Sequence, residues 1–345
     1  MKKTLTAMAG VLLLAFMVAA CEGPAGPAGP AGDAGAPGAT GNTGPQGPQG
    51  PAGPAGQDGQ DANENCTQCH QADTELFARQ TQYYNSVHFV GGNFERSTSS
   101  CASCHTHEGF IQRITEDTWD VDAPENPSPV NCRSCHMIHT TYTDADYAYT
   151  ATDPVVFVNT QHGTADFEGA GNLCAQCHQG RPLEPYPVVD GADVEIDSRR
   201  YGYHHGPQGT VGAGVGGFFT ADAQHVHQSL GCNQCHMNDA FGASAGGHTF
   251  NLTYEYHGGI EDLVAGCNEF CHGTVEDFEH FGLQENVEED LAELADLLVQ
   301  AGMMQGPNDT YPHYAVEGTQ PANLAAAFVN WQMVEEDRSL GLHNP

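Results

Sequence analysis

Cys232-Asn233-Gln234-Cys235-His236 sets two thiols one helical turn apart, with a histidine directly after the second. The same five-residue unit recurs as Cys66 to His70, Cys101 to His105, Cys132 to His136 and Cys174 to His178. A sixth unit is one residue longer: Cys267-Asn268-Glu269-Phe270-Cys271-His272. Every cysteine after Cys21 belongs to one of these six units. Two thiols so spaced add to the two vinyl groups of one porphyrin, and the histidine that follows reaches its iron, which is the signature of c-type haem attachment. Disulfide pairing would not call for a histidine after all six pairs. Zinc would need four ligands shared between two knuckles. The sequence therefore predicts six covalently bound haem c groups. Their thioethers form at Cys66, Cys69, Cys101, Cys104, Cys132, Cys135, Cys174, Cys177, Cys232, Cys235, Cys267 and Cys271. Their proximal ligands are His70, His105, His136, His178, His236 and His272.

All six units fall within residues 62–345, a hexahaem domain by this reading. At that density the porphyrins touch one another and supply the core, which suits a chain that is 39% hydrophobic and rich in glycine. The expected fold is mostly loops and short α-helices around a chain of stacked haems, with little β-structure and a helical C-terminal hairpin over residues 285–345. In that hairpin Asn286 reads as an N-cap with an acidic first turn after it. Val287, Leu291, Leu294, Leu298 and Ala301 mark one face of a helix ending near Gly302. A second helix starts at Pro321 and runs to about Asp337, with Gly341 as its stop. Its stripe of Leu324, Phe328, Trp331 and Val334 is expected to pack on haem edges.

Nineteen histidines less six leave thirteen from which to draw the second axial ligands. Most methionines lie in the leader or beside haem histidines, so bis-histidine iron, with a low potential, is the expectation. The candidates are His88, His139, His162, His205, His225, His248 and His343, six of which would serve. His227 competes with His225, and His204 stands beside His205 as a proton donor. His107 follows His105 too closely to reach another iron and reads as surface.

Residues 1–20 read as a lipoprotein signal peptide: Lys2 and Lys3, an apolar run, then Val18-Ala19-Ala20-Cys21. The run is short for a membrane span. Lipid on Cys21 would tie the chain to the outer membrane. From Gly23 to Gly59 glycine stands at every third position, a collagen-like period. Residues 21–61 thus form the anchor cysteine and a stalk, which as an extended spacer reaches on the order of 120 Å at about 3.1 Å per residue. The formal net charge is −34, with 44 acidic and 10 basic residues. That excludes non-specific binding to nucleic acid. Asp144 and Asp146 do not have the spacing of a calcium loop.

From about Tyr83 to the C-terminus the chain resembles the multihaem cytochrome superfamily that includes pentahaem nitrite reductase. The units at Cys101, Cys132, Cys174, Cys232 and Cys267 are spaced as in that enzyme, and His225, His248 and His343 are similar to its distal ligands. The ending Glu336-Asp337-Arg338-Ser339-Leu340-Gly341-Leu342-His343-Asn344-Pro345 and the run His204-His205-Gly206-Pro207-Gln208 are similar to sequences in cell-surface cytochromes of metal-reducing bacteria. One departure stands out: the reductase's proximal lysine has no counterpart, since the chain has no lysine after Lys3.

The resemblance implies electron transfer by haem-to-haem hopping, toward a metal oxide, an electrode, a soluble shuttle or a partner cytochrome, with no catalytic side chain. It implies a lipid-anchored protein facing the cell exterior, with the periplasmic face as the other placement. A homo-oligomer would form as a trimer through the stalk or as a haem-linked filament. The alternative is a reductase of nitrite, hydroxylamine or a related oxyanion at one open haem, served by Tyr203, His204 or His205 and by Arg199-Arg200.

Overall fold

The computed structural model describes residues 74–203, 206–220, 227–270, 272–306 and 313–344. The predicted leader, Cys21, the stalk and the first unit (Cys66, Cys69 and His70) lie outside the described residues, as do His204, His205, His225 and Cys271. The described part belongs to a unit spanning residues 57–345.

Eleven α-helices are described, most of them a turn or two long. In chain order they are α1 (Thr74–Tyr84), α2 (Val87–Val90), α3 (Ser99–His105), α4 (His107–Glu116), α5 (Cys132–Cys135), α6 (Ala170–Ala175), α7 (Gln208–Gly212), α8 (Cys232–His236), α9 (Ala265–Phe270), α10 (Leu283–Gln300) and α11 (Ala322–Asp337). The β-structure among the described residues is three two-stranded antiparallel ladders. They pair β1 (Val155–Val156) with β2 (Thr164–Ala165), β3 (Val194–Ile196) with β6 (Gly318–Gln320), and β4 (Thr253–Tyr256) with β5 (Gly259–Asp262).

The short helices follow from the units themselves. Each described Cys-x-x-Cys-His unit begins on, or lies in, a helix of four to seven residues. So short a helix has little stability of its own and is held by its caps and its neighbours. In α5 the cap is reciprocal: Asn131 accepts from Arg133 N–H, and Ser134 Oγ accepts from Asn131 N–H.

Helices α10 and α11 pack against each other, and both of their predicted boundaries need correcting. Helix α10 starts at Leu283 after a left-handed Gly282, so Asn286 lies inside its first turn and is not the cap. Helix α11 ends on Arg338 in the left-handed conformation (φ 61°), three residues before Gly341. The larger correction concerns what α11 touches. Its apolar stripe does not border the cavity described below: Phe328 and Trp331 pack against Leu291, Leu298, Ile196, Tyr201 and Met303 in a protein core. Trp331 Nε1 donates to Leu291 O at 2.9 Å, which locks the two helices together. Gln332, Glu336 and Asp337, on another face of α11, meet the cavity. The domain therefore has an aliphatic and aromatic core of its own at the C-terminal hairpin. A second, smaller core gathers Val155, Phe157, Ala165, Phe167, Ala175 and Ala213.

Asp146 is a loop staple. Its carboxylate accepts from Thr141 N–H at 2.6 Å, Thr141 Oγ1 at 2.7 Å and Tyr142 N–H at 3.1 Å.

Candidate functional site

A single cavity of about 3050 Å³ runs through the described domain. Ordinary small-molecule sites occupy about 300–1,000 Å³, so this one has room for several large groups. Its wall carries the cysteines and following histidine of every described unit: Cys101, Cys104 and His105; Cys132, Cys135 and His136; Cys174, Cys177 and His178; Cys232, Cys235 and His236; Cys267 and His272. No disulfide joins the described cysteines. Among the described residues no three His, Cys, Asp or Glu side chains come together as a metal-holding group.

The units adjoin one another in a definite order. Cys104 lies beside Cys177, Cys174 beside Cys232, and Cys235 beside Cys267, each pair close enough to shift one another's acidity. Units 101, 174, 232 and 267 thus form a row, while Cys135 of unit 132, outside that row, acts electrostatically on Cys174 and Cys177. These contacts split the thiol acidities. Cys177 brings Cys104 down to about 7, and Cys235 does the same for Cys267. Burial pushes Cys135 up to about 12.

Two glycines permit this close approach. A β-carbon on Gly171 of α6 would stand 2.9 Å from Gly231 Cα and 3.2 Å from Cys232 N. One on Gly266 of α9 would stand 2.7 Å from Gln234 O and 3.2 Å from Cys235 Cα. Both are backbone collisions that only glycine avoids. They fasten α6 and α9 directly onto α8.

Histidine rings face each other across the cavity in four pairs. The ring centres lie 5.9 Å apart for His88 and His178, 6.4 Å for His136 and His248, 6.4 Å for His227 and His272, and 6.1 Å for His236 and His343. Two imidazoles that share one metal from opposite sides, through bonds of about 2.0–2.1 Å, have ring centres roughly 6.3 Å apart. In each pair one member directly follows a cysteine pair, Cys-x-x-Cys for His136, His178 and His236 and the longer Cys-x-x-x-Cys for His272, and the other comes from elsewhere in the chain.

The tautomers suit this arrangement. His136 Nδ1 donates to Tyr147 O at 2.7 Å, His178 Nδ1 to Gln208 Oε1 at 3.1 Å and His227 Nδ1 to Leu342 O at 2.6 Å. His236 Nδ1 donates to Phe250 O at 3.0 Å, and His343 Nδ1 to Asp337 Oδ1 at 2.7 Å. With the proton held on Nδ1, Nε2 keeps a bare lone pair. Burial also lowers the basicity of His88 and His248, each to about 4, so both rings are neutral at neutral pH.

The predicted distal candidates divide accordingly. His88, His248 and His343 each stand opposite a proximal ring, whereas His205 and His225 lie outside the described residues. His227, weighed only as the competitor of His225, is the ring that faces His272. His139 is not on a helical turn shared with His136: α5 ends at Cys135, and His139 sits exposed at the cavity rim with φ 65°, stacked on Tyr142. His107, read as surface, is half-buried and bonded through Nδ1 to Ser134 Oγ at 2.9 Å.

His162 departs furthest from its expected role. It is buried off the cavity wall, with Nε2 taken up by Tyr203 Oη at 2.9 Å and Asn159 Nδ2 at 3.1 Å. The nitrogen that a ligand would present is already engaged. Burial holds its basicity down at about 4, against an ordinary 6.5. Above pH 6.5 the ring is neutral both folded and unfolded, and pH has no lever on it. As pH falls from 6.5 toward 4 the unfolded chain takes up a proton that the folded chain refuses, which removes about 3 kcal/mol of stability. We expect His162→Gln to lose less stability than the parent over that interval, measured by denaturant unfolding at a series of pH values. Parallel pH profiles would show that His162 does not have this buried, neutral character.

The residues proposed for oxyanion chemistry are split by the fold. Arg200 and Tyr203 line the cavity, while Arg199 turns away and lies over the Tyr314 ring at 4.3 Å. Sequence reasoning passed over Arg113, a 5% exposed cation on α4 that donates to Gln176 Oε1 at 2.8 Å and acts electrostatically on Cys104 and Cys177. Asp337 was missed as well. Its signal was its place six residues before His343, close enough to reach back once α11 has ended.

Among the described residues no helix is long and apolar enough to cross a membrane. No curated protein matches the chain, and no solved structure does. Repeats of the collagen type are compatible with trimer formation through a stalk. Residues 20–65 match the family described as Collagen triple helix repeat (20 copies), so in that segment, which encloses the glycine period of residues 23–59, the chain is collagen-like.

Proposed function

We propose that residues 62–345 hold six covalently attached haem groups and carry electrons along them at the cell surface, toward a metal oxide, an electrode, a soluble shuttle or a partner cytochrome. The observation that carries this reading is the set of four facing histidine pairs, each spaced for one metal and each containing the histidine that directly follows a cysteine pair. Bound haem would supply one-electron chemistry, its potential set by axial ligands, hydrogen bonds and burial. The chain's own part is positional. Its thiols fix each group to a short helix, and its Nδ1–H bonds aim Nε2 inward. Gly171 and Gly266 bring neighbouring attachment helices into contact, so that bound groups would lie in the order 101, 174, 232, 267 with 132 outside that row. Lipid on Cys21 and the collagen-like stalk would hold this head away from the outer membrane.

A haem count with low-temperature EPR of the oxidised protein tests the reading. Six haems per chain are expected, with low-spin signals from the paired histidines. His227→Ala is expected to convert one haem to high-spin, and His225→Ala none. A chain carrying no haem, or one whose spectrum ignores His227, sinks the proposal. The reductase alternative keeps Arg200 and Tyr203 on the cavity wall as its support. A high-spin fraction of about one iron in six in the parent protein would favour it, and nitrite and hydroxylamine turnover would then be measured.

A further inference from the structure

We propose that Asp337 is a potential-setting residue: through His343 it holds the iron between His236 and His343 at a lower reduction potential than a neutral acceptor would. The inference rests on the haem reading above and goes beyond it by assigning a role to a side chain that would act on the iron through His343.

Asp337 closes α11 and is 2% exposed. Its Oδ1 accepts from His343 Nδ1 at 2.7 Å, and its Oδ2 accepts from Ser339 Oγ. Around the same cavity His136, His178, His227 and His236 give their Nδ1–H to neutral oxygens, three of them backbone carbonyls and one the side-chain amide of Gln208. A buried carboxylate differs from these in kind. It draws the Nδ1 proton toward itself, the ring gains imidazolate character, and Nε2 becomes the stronger donor. Stronger donation and a nearby negative charge both favour ferric over ferrous iron, and little solvent is present to screen the charge. Ser339 works the other way, because its hydroxyl takes a share of the carboxylate's charge. The Cys232 unit stands inside the row, between units 174 and 267, so the tuned iron would lie on the electron path and not at its end.

The test is a spectroelectrochemical titration of the haem-loaded full chain, with each low-spin EPR signal followed separately. In Asp337→Asn one midpoint should rise by at least a tenfold change in its reduction equilibrium, about 59 mV for one electron, while the others hold. Asp337→Glu should bring that midpoint back toward the parent value. Ser339→Ala frees charge on Oδ2 and should move the same midpoint downward. Six unchanged midpoints in an Asp337→Asn protein that is still fully low-spin would overturn the proposal. If that variant instead loses His343 from its iron, Ser339→Ala decides, and an unchanged or raised midpoint there overturns the proposal. Failure of the haem reading looks different, because the parent chain would then show no haem or no bis-histidine signals.

Discussion

Produced without haem attachment, the chain is expected not to reach a folded state. Protein interiors are packed nearly as densely as organic crystals. The walls of the described domain line about 3050 Å³, partly open to solvent, that its side chains do not fill. At about 24 cal/mol per Å³, leaving even a tenth of that volume empty would cost about 7 kcal/mol. Whole domains have about 5–15 kcal/mol of stability to lose. Water offers little relief, because much of the wall is the apolar side of short helices that cannot persist alone. Near-UV circular dichroism of the haem-free chain should be close to flat, and its thermal scan should lack a cooperative step. The haem-loaded chain should show both signals. The hairpin of α10 and α11, with Phe328 and Trp331 in a core independent of the cavity, is the part expected to keep helical far-UV signal. A haem-free chain with a native near-UV spectrum and a sharp melt would show that the cavity is not a cofactor space.

Removing one attachment unit should have effects that depend strongly on which unit is removed. The variant Cys232→Ala with Cys235→Ala is expected to carry five haems and to lose most of its ability to move electrons from the Cys101 end to the Cys267 end. Unit 232 is the one that touches both 174 and 267. The variant Cys132→Ala with Cys135→Ala should also carry five haems, yet conduct much as the parent does, since that unit lies outside the row. Current through protein films of equal thickness, normalised to haem content, makes the comparison. Equal losses in the two variants would mean that the row inferred from the thiol contacts is not the electron path.

Local chemistry was legible in the sequence, and partnership across the fold was not. Six Cys-His junctions and a strict glycine period are patterns in consecutive residues, and the two C-terminal helices declare themselves by spacing. Which histidine faces which is decided by chain segments from 45 to 112 residues apart. His227 and His225 differ by two positions, and nothing local distinguishes the ring that meets His272. His162 lies as close to a unit as His88 does, but Tyr203, forty-one residues onward, takes its Nε2. The stripe on α11 is apolar, as its spacing predicts, but it faces a protein core and not the large cavity, because Trp331 finds Leu291 O on the neighbouring helix. A sequence marks an apolar face without naming what covers it.

The glycine contacts around α8 also bear on the order of events in biogenesis. Once Gly171 and Gly266 have brought their helices against Cys232 and Gln234, the thiols of neighbouring units touch each other, and no modifying enzyme can grip one unit without parting two. If the units carry haem, attachment would have to precede closure. The chain would then have to stay open in its compartment of maturation until its last unit is charged.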